Sequence, residues 1–153
     1  MYEYRCKILK VVDGDTVDVD IDLGFDVVLS NQRIRLYGVD TPESRTKDLT
    51  EKRFGLMAKH FVEEQLPVGS FQTLKTRKDA TGKFGRILGE FPIEYEYEKV
   101  TIKSTVNEQL IKNHLAVAYF GQSKEAILEQ HLKNRTFFKE DENMIPDTSD
   151  QGC

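Results

Sequence analysis

The chain has no tryptophan, only four prolines and two cysteines, and no net excess of positive charge. Each shortage narrows the choice. Cys6 and Cys153 are too few for a disulfide-stapled miniature domain, and two thiols do not make a zinc site. Cys6 falls in a predicted strand and reads as a small core residue, whereas Cys153 ends the tail. No stretch approaches the ~20 apolar residues of a membrane-spanning helix, so no membrane partner is expected. The N-terminus lacks the basic, apolar, small-residue order of a secretory signal. With Met1 as the native start a cytoplasmic protein is expected; with an upstream start export stays open.

The formal net charge of −4 conceals an asymmetry. Residues 140–153 carry Glu140, Asp141, Glu142, Asp147 and Asp150 and no Lys or Arg, so setting those five aside turns −4 into +1 for residues 1–139. A body so close to neutral does not attract nucleic acid through bulk charge, and any phosphate binding must come from local placement of Arg and Lys. That argues against a nonspecific nucleic-acid coat protein. It leaves room for an enzyme that must release its product.

With 153 residues, 39% of them hydrophobic, the chain is long enough for one compact domain with a real core. That domain is expected over residues 1–139, and the acidic 140–153 tail, which contains Pro146, is expected to be disordered. No internal repeat or linker divides the body, and a monomer is expected.

Alternation predicts a strand over residues 3–11, a turn at Asp13-Gly14 and a strand over 16–23. In the latter, Val17, Val19, Ile21 and Leu23 share one face and Thr16, Asp18, Asp20 and Asp22 the other. Residues 25–29 either pair back or lead into a third strand over 32–37, where Ile34 and Leu36 oppose Arg33, Arg35 and Tyr37. From Thr50, a candidate N-cap, apolar residues recur at helical steps through Phe54, Met57, Ala58, Phe61, Val62 and Leu66, until Pro67 and Gly69 end the helix. Strands follow over 70–77 and 84–91 around a turn at 79–82. Residues 92–99 read as an exposed acidic and aromatic extension. Helices are predicted over 105–114 and 123–137, the latter with Ala126, Ile127, His131 and Leu132 on one face.

Five strands with a helix after the third and more helices after the fifth make a mainly β, α+β domain. They fit a small closed barrel covered by about three helices, and the five-stranded oligonucleotide/oligosaccharide-binding (OB) barrel is the known solution of this kind. Strand order and closure are not written in these residues.

Two charged strand ends dominate the chemistry: Val12-Asp13-Gly14-Asp15-Thr16 and Arg35-Leu36-Tyr37-Gly38-Val39-Asp40-Thr41-Pro42-Glu43. Taken alone, Asp13-Gly14-Asp15 is an ordinary hairpin turn. Beside Arg35, Asp40 and Glu43 it becomes half of a site for a hard cation and a phosphate. Calcium takes six to eight oxygen ligands, including carboxylates, carbonyls and water. Asp15 and Asp40 can supply the first kind and the Thr41 backbone the second. The one-three-five spacing of Asp18, Asp20 and Asp22 imitates an EF-hand loop, but Leu23 and Leu29 stand where that loop needs Gly and Glu. Strand alternation explains these aspartates better.

Arg35 presents a planar fork suited to two phosphate oxygens, and Arg86, in the downstream Lys83-Phe84-Gly85-Arg86 stretch, offers a second. Alone, Arg86 is a solvated strand-end charge. Glu43, fixed behind Pro42 and close to Asp40, is the candidate general base; its plain alternative is a surface glutamate opening a loop. His60, His114 and His131 show no metal or nucleophile pairing in sequence, and packed or surface roles are expected for them.

These stretches, in this order, resemble the staphylococcal nuclease (thermonuclease) family over roughly Tyr2 to Phe138. The resemblance supplies the Greek-key closure of the OB barrel. It also implies a calcium-dependent phosphodiesterase of DNA and RNA, an endo/exonuclease preferring single strands and leaving 3′-phosphate ends. Carried over, Asp15, Asp40 and the Thr41 carbonyl bind Ca2+, with Asp13 at the edge of the metal pocket. Arg35 and Arg86 hold the scissile phosphate, and Glu43 activates water. Lys83 approaches a terminal phosphate, and Tyr119 matches a tyrosine that stacks on base or sugar. Phe84 departs from a family tyrosine that hydrogen-bonds phosphate; it keeps the ring and loses that bond. The alternatives are a catalytically silent module of the same fold that binds nucleic acid or protein, and a plain OB barrel without metal chemistry.

Overall fold

The computed structural model describes residues 2–77 and 87–138. Its elements in chain order are β1 (Tyr2–Asp13), β2 (Thr16–Asp22), β3 (Val28–Leu36), β4 (Val39–Asp40), α1 (Leu49–Gln65), β5 (Phe71–Thr76) and β6 (Ile87–Glu90). There follow β7 (Pro92–Tyr97), β8 (Val100–Thr105), α2 (Val106–Lys112), β9 (Val117–Ala118), α3 (Lys124–Arg135) and a 3-10 turn at Thr136–Phe138. Lys83, Phe84, Arg86, the expected turn at 79–82 and the 140–153 tail lie outside the described residues.

The alternating segments do what their period requires. β1 pairs antiparallel with β2, and β2 with β3. β3 takes β6 in parallel, β6 pairs antiparallel with β5, and β5 with β1, closing a barrel in the order β1-β2-β3-β6-β5. This is the order of an OB barrel. Ile8, Val17, Val19, Ile34, Leu36 and Leu74 point inward and are fully buried. Each such side chain contributes about 1.5–3 kcal/mol of burial. Register shifts against β2 interrupt the alternation near the end of β1, and there the consecutive Val11 and Val12 are both buried. α1 lays Phe54, Met57, Ala58 and Val62 against the barrel, and Leu66, which caps the helix, is buried with them.

Several boundaries differ from expectation. The N-cap of α1 is Asp48, not Thr50: its carboxylate accepts from Thr50 N (3.1 Å) and Glu51 N (3.2 Å). A carboxylate there also complements the positive end of the helix. Leu23 leaves the inward face because pairing stops at Asp22↔Val28 and the chain turns through Gly24; it is 44% exposed. Residues 92–99, expected as an exposed extension, are ordered by strand pairing. They form β7 and a turn at Glu98-Lys99, both with positive φ (48° and 67°), and pair with β8 in a separate hairpin. A second small sheet, β4 with β9, joins Val39 to Ala118 and Asp40 to Val117.

α3 lacks the buried face that its spacing suggested. None of its residues is buried, and Leu132 is 48% exposed. Polar and aromatic contacts dock it instead: Asn134 Nδ2 donates to Ala116 O (3.2 Å), and Arg135 lies over the Phe54 ring.

Candidate active site

The site grows from the two-residue turn between β1 and β2. A Cβ on Gly14 would stand 2.7 Å from Ala58 Cβ and 3.0 Å from Thr41 Cγ2. Only glycine lets the turn, α1 and the loop after β4 meet this closely. Asp15 follows, and its carbonyl accepts from Leu36 N (2.8 Å), which fastens the turn to the end of β3.

Thr16 pairs with Arg35 in the β2–β3 register, so Arg35 emerges beside Asp15. Its guanidinium lies 3.2 Å from Asp15 Oδ2 through one terminal nitrogen and 3.7 Å from Asp40 Oδ1 through the other. The two carboxylates therefore converge on one cation. Thr41 N donates to Asp15 Oδ2 (3.3 Å), binding the second strand end to the first. Asp13 Oδ1 accepts from Ser44 N (3.2 Å) and from the Ser44 hydroxyl, and so shapes the loop that carries Glu43.

Glu43 is exposed. It lines a cleft of about 500 Å³ with Asp13, Asp15, Arg35, Asp40 and Thr41, and Arg33 and Arg45 also contribute to its wall. A roomier cleft of about 610 Å³, between Phe61, Tyr95 and Lys112, gathers no comparable set of acids around an arginine. Arg33 is committed elsewhere. It forms two hydrogen bonds with Asp18 (2.9 and 3.1 Å), and this pairing raises its pKa further. Cys6, away from the cleft, is buried in the core, and desolvation pushes its thiol up to about 11 against a backbone hydrogen bond from Gln72 that lowers it.

The donor set suits a hard cation. Asp15 and Asp40 bring oxygens already drawn toward one positive charge, and Thr41, next to Asp40 and bonded to Asp15 through its N–H, has its hydroxyl buried and without a hydrogen-bond partner among the described residues. Among those residues no three His, Cys, Asp or Glu side chains stand close enough to hold an ion unaided. A calcium shell here would need backbone carbonyl and water oxygens to complete it.

Tyr119 is not in the cleft wall. Its N–H donates to Gly38 O (2.8 Å), which places it beside the turn leading to Asp40, and it and Phe120 are exposed. Sequence reasoning missed His131. Its Nε2 lies 2.7 Å from Asp40 Oδ2, and its side chain is only 11% exposed. The one available signal was a polar ring on the predicted Ala126, Ile127 and Leu132 face of α3; nothing local ties it to an aspartate 91 residues earlier.

A closed five-stranded barrel with this strand order, two acidic strand ends and an arginine between them defines an OB-type barrel with an acid–arginine cleft. The chain belongs to the staphylococcal nuclease family: the family model described as "Staphylococcal nuclease homologue" matches residues 33–139. Arg35, Asp40, Glu43 and His131 fall inside that match, and Asp13 and Asp15 precede it.

Endonuclease YhcR of Bacillus subtilis (strain 168) is 32% identical over 123 residues, covering 77% of this chain and 9% of that protein. Thermonuclease of Staphylococcus hyicus is 30% identical over 118 residues, covering 77% of this chain and 61% of the relative. Uncharacterized protein MJ1439 of Methanocaldococcus jannaschii is 32% identical over 138 residues, 77% of this chain and 60% of the relative. The chain thus spans less than two thirds of each of these relatives. No described helix is long and apolar enough to cross a membrane.

Proposed function

We propose that this chain is a calcium-dependent nuclease that hydrolyses phosphodiester bonds of DNA and RNA, preferably in single strands, and leaves 3′-phosphate ends. The observation that carries the proposal is the convergence of Asp15 and Asp40 on Arg35 within a cleft that Glu43 also lines. Relatives named as an endonuclease and a thermonuclease support it.

Asp15, Asp40 and the Thr41 carbonyl would hold the calcium, which when bound supplies positive charge next to the phosphate oxygens. The chain's own groups do the rest. Substrate phosphate competes with Asp15 and Asp40 for the Arg35 fork, and Arg86, by family resemblance, supplies a second fork. Donors aimed at oxygens that gain charge in the transition state lower its energy more than that of the bound substrate. Glu43 takes the proton from the attacking water at a carboxylate oxygen, a contribution of typically ~10²–10⁴-fold. By family resemblance Lys83 would approach the terminal phosphate, Phe84 would line the substrate site with its ring alone, and Tyr119 would stack on base or sugar. A small barrel groove favours an unstacked strand, which it can hold by phosphate and stacking contacts.

The test is hydrolysis of single-stranded DNA by the native chain and Glu43→Gln, with calcium and then with a chelator. Cleavage that requires calcium and collapses in the folded variant is the expected result. Binding without cleavage under every divalent ion would overturn the proposal in favour of a silent binding module.

A further inference from the structure

We propose that His131 is a positioning residue for Asp40 and sets how tightly the cleft binds calcium. The inference rests on the calcium reading above and assigns a task to a residue outside the expected set.

An ionised carboxylate only accepts hydrogen bonds, so in the 2.7 Å contact His131 Nε2 carries the hydrogen and donates to Asp40 Oδ2. Asp40 is then held at both carboxylate oxygens and through its backbone. Oδ2 faces the imidazole, Oδ1 faces Arg35 at 3.7 Å, and the backbone pairs with Val117 in the β4–β9 sheet. An aspartate free to rotate about its side-chain bonds must be ordered when an ion arrives. One already held by a donor on its outer oxygen presents the other oxygen without that cost.

The way α3 docks supports a specific contact rather than chance adhesion. The helix starts at Ser123, whose hydroxyl accepts from Ala126 N (3.2 Å). Two turns later His131 arrives at Asp40, although the helix buries no apolar face that would dictate its rotation. On the adjacent turn Asn134 holds Ala116 O, one residue before the strand that pairs with Asp40. The histidine and the backbone of its target are therefore placed by the same helix.

Three variants separate positioning from mere attachment of α3. His131→Leu fills the space without a donor. His131→Gln places an N–H near the position of Nε2. His131→Asn is also an amide, but too short to reach. Calcium affinity is measured by titration calorimetry without nucleic acid, and thermal melting is followed alongside. The Leu and Asn variants should bind calcium about 10–100-fold more weakly than native, with the Gln variant within about threefold of it. If the Leu variant does not fold, the comparison of Gln with Asn decides.

Equal affinity in native, Gln and Asn proteins, with only melting temperatures changed, would reduce His131 to a structural contact and overturn the inference. A Gln variant as weak as Asn would overturn it too, since the donor would not be what matters. A native chain that binds no calcium would overturn this inference together with the calcium reading. Unchanged affinity in the variants beside tight native binding would overturn this inference alone.

Discussion

The guanidinium of Arg35 lies 3.2 Å from the carboxylate of Asp15, because the β2–β3 register sets Arg35 opposite Thr16, the next residue along the chain. The pair is built into the barrel wall, so the arginine is oriented before any phosphate arrives. Arg35→Lys keeps the charge and loses the fork, and a point charge cannot hold two oxygens at once. Loss of about 10²–10³-fold in kcat is expected on single-stranded DNA, as for removal of one transition-state donor elsewhere. The melting temperature should change little, and steady-state kinetics with a melt of the same sample checks both statements.

Gly55 packs the helix against the loop that carries Glu43. A Cβ there would run into the Glu43 carbonyl and stand 2.6 Å from Ser44 N. In an unconstrained helix interior Gly→Ala stabilises by about 0.8–1 kcal/mol. Overpacking against backbone that cannot step aside costs about 1–3 kcal/mol or more. The second effect wins, so Gly55→Ala should lower stability. It should also depress activity, because the displaced atoms belong to Glu43 and its neighbour. A urea titration and an assay of the same variant would reveal the opposite sign if the loop simply yields.

Asn107 is buried at the start of α2 and serves three backbone groups. Its amide donates to Tyr37 O (2.9 Å) and Gly89 O (3.1 Å), and its oxygen accepts from Phe91 N (3.4 Å). It stitches the ends of β3 and β6 to the helix that follows. Asn107→Ala would leave Tyr37 O and Phe91 N without this partner, each at about 1–3 kcal/mol unless water enters, while Gly89 O keeps its bond from Tyr37 N (2.8 Å). A net loss of about 2–4 kcal/mol in unfolding free energy is expected, read as a lower urea midpoint at unchanged slope.

Cys6 gives the fold a dependence on alkaline pH. Its thiol is pushed up to about 11 chiefly by burial. The folded state therefore keeps the proton that the unfolded chain releases near pH 9. The contribution is intact below the unfolded pKa and is lost as pH rises through the window up to about 11. Over that window the native protein should lose on the order of 2–3 kcal/mol relative to Cys6→Ala, at 1.36 kcal/mol per pKa unit. Parallel denaturation curves at pH 8 and pH 11 check this; an unchanging difference would refute it.

What the sequence made legible was whatever carries a period or a local chemical signature. The inward positions Val17, Val19, Ile34 and Leu36 followed from alternation, and they are buried. Asp15, Asp40 and Arg35 stood out because each ends or lines a strand, and the barrel register brings them together. Barrel closure was not legible, since the parallel β3–β6 pairing joins segments about fifty residues apart and such registers leave no local trace. The β7–β8 hairpin was missed because its turn is Glu-Lys rather than a glycine-containing pair. The two-residue β4 and β9 strands are too short to show a period. His131 was hidden for the same kind of reason: its meaning lies in a contact with residue 40, not in its neighbours.

The bond between Asp40 and His131 also sets an order of completion. A chain made from its N-terminus has both acidic strand ends, Arg35 and Glu43 by residue 43, yet Asp40 lacks its strand partner until Val117 exists and its imidazole until residue 131 exists. Closing a loop of that length is entropically slow to reward. During synthesis the emerging polypeptide therefore carries most of the cleft's charged groups for a long interval before it has the finished arrangement, and α3, the last helix described, serves as the completing part.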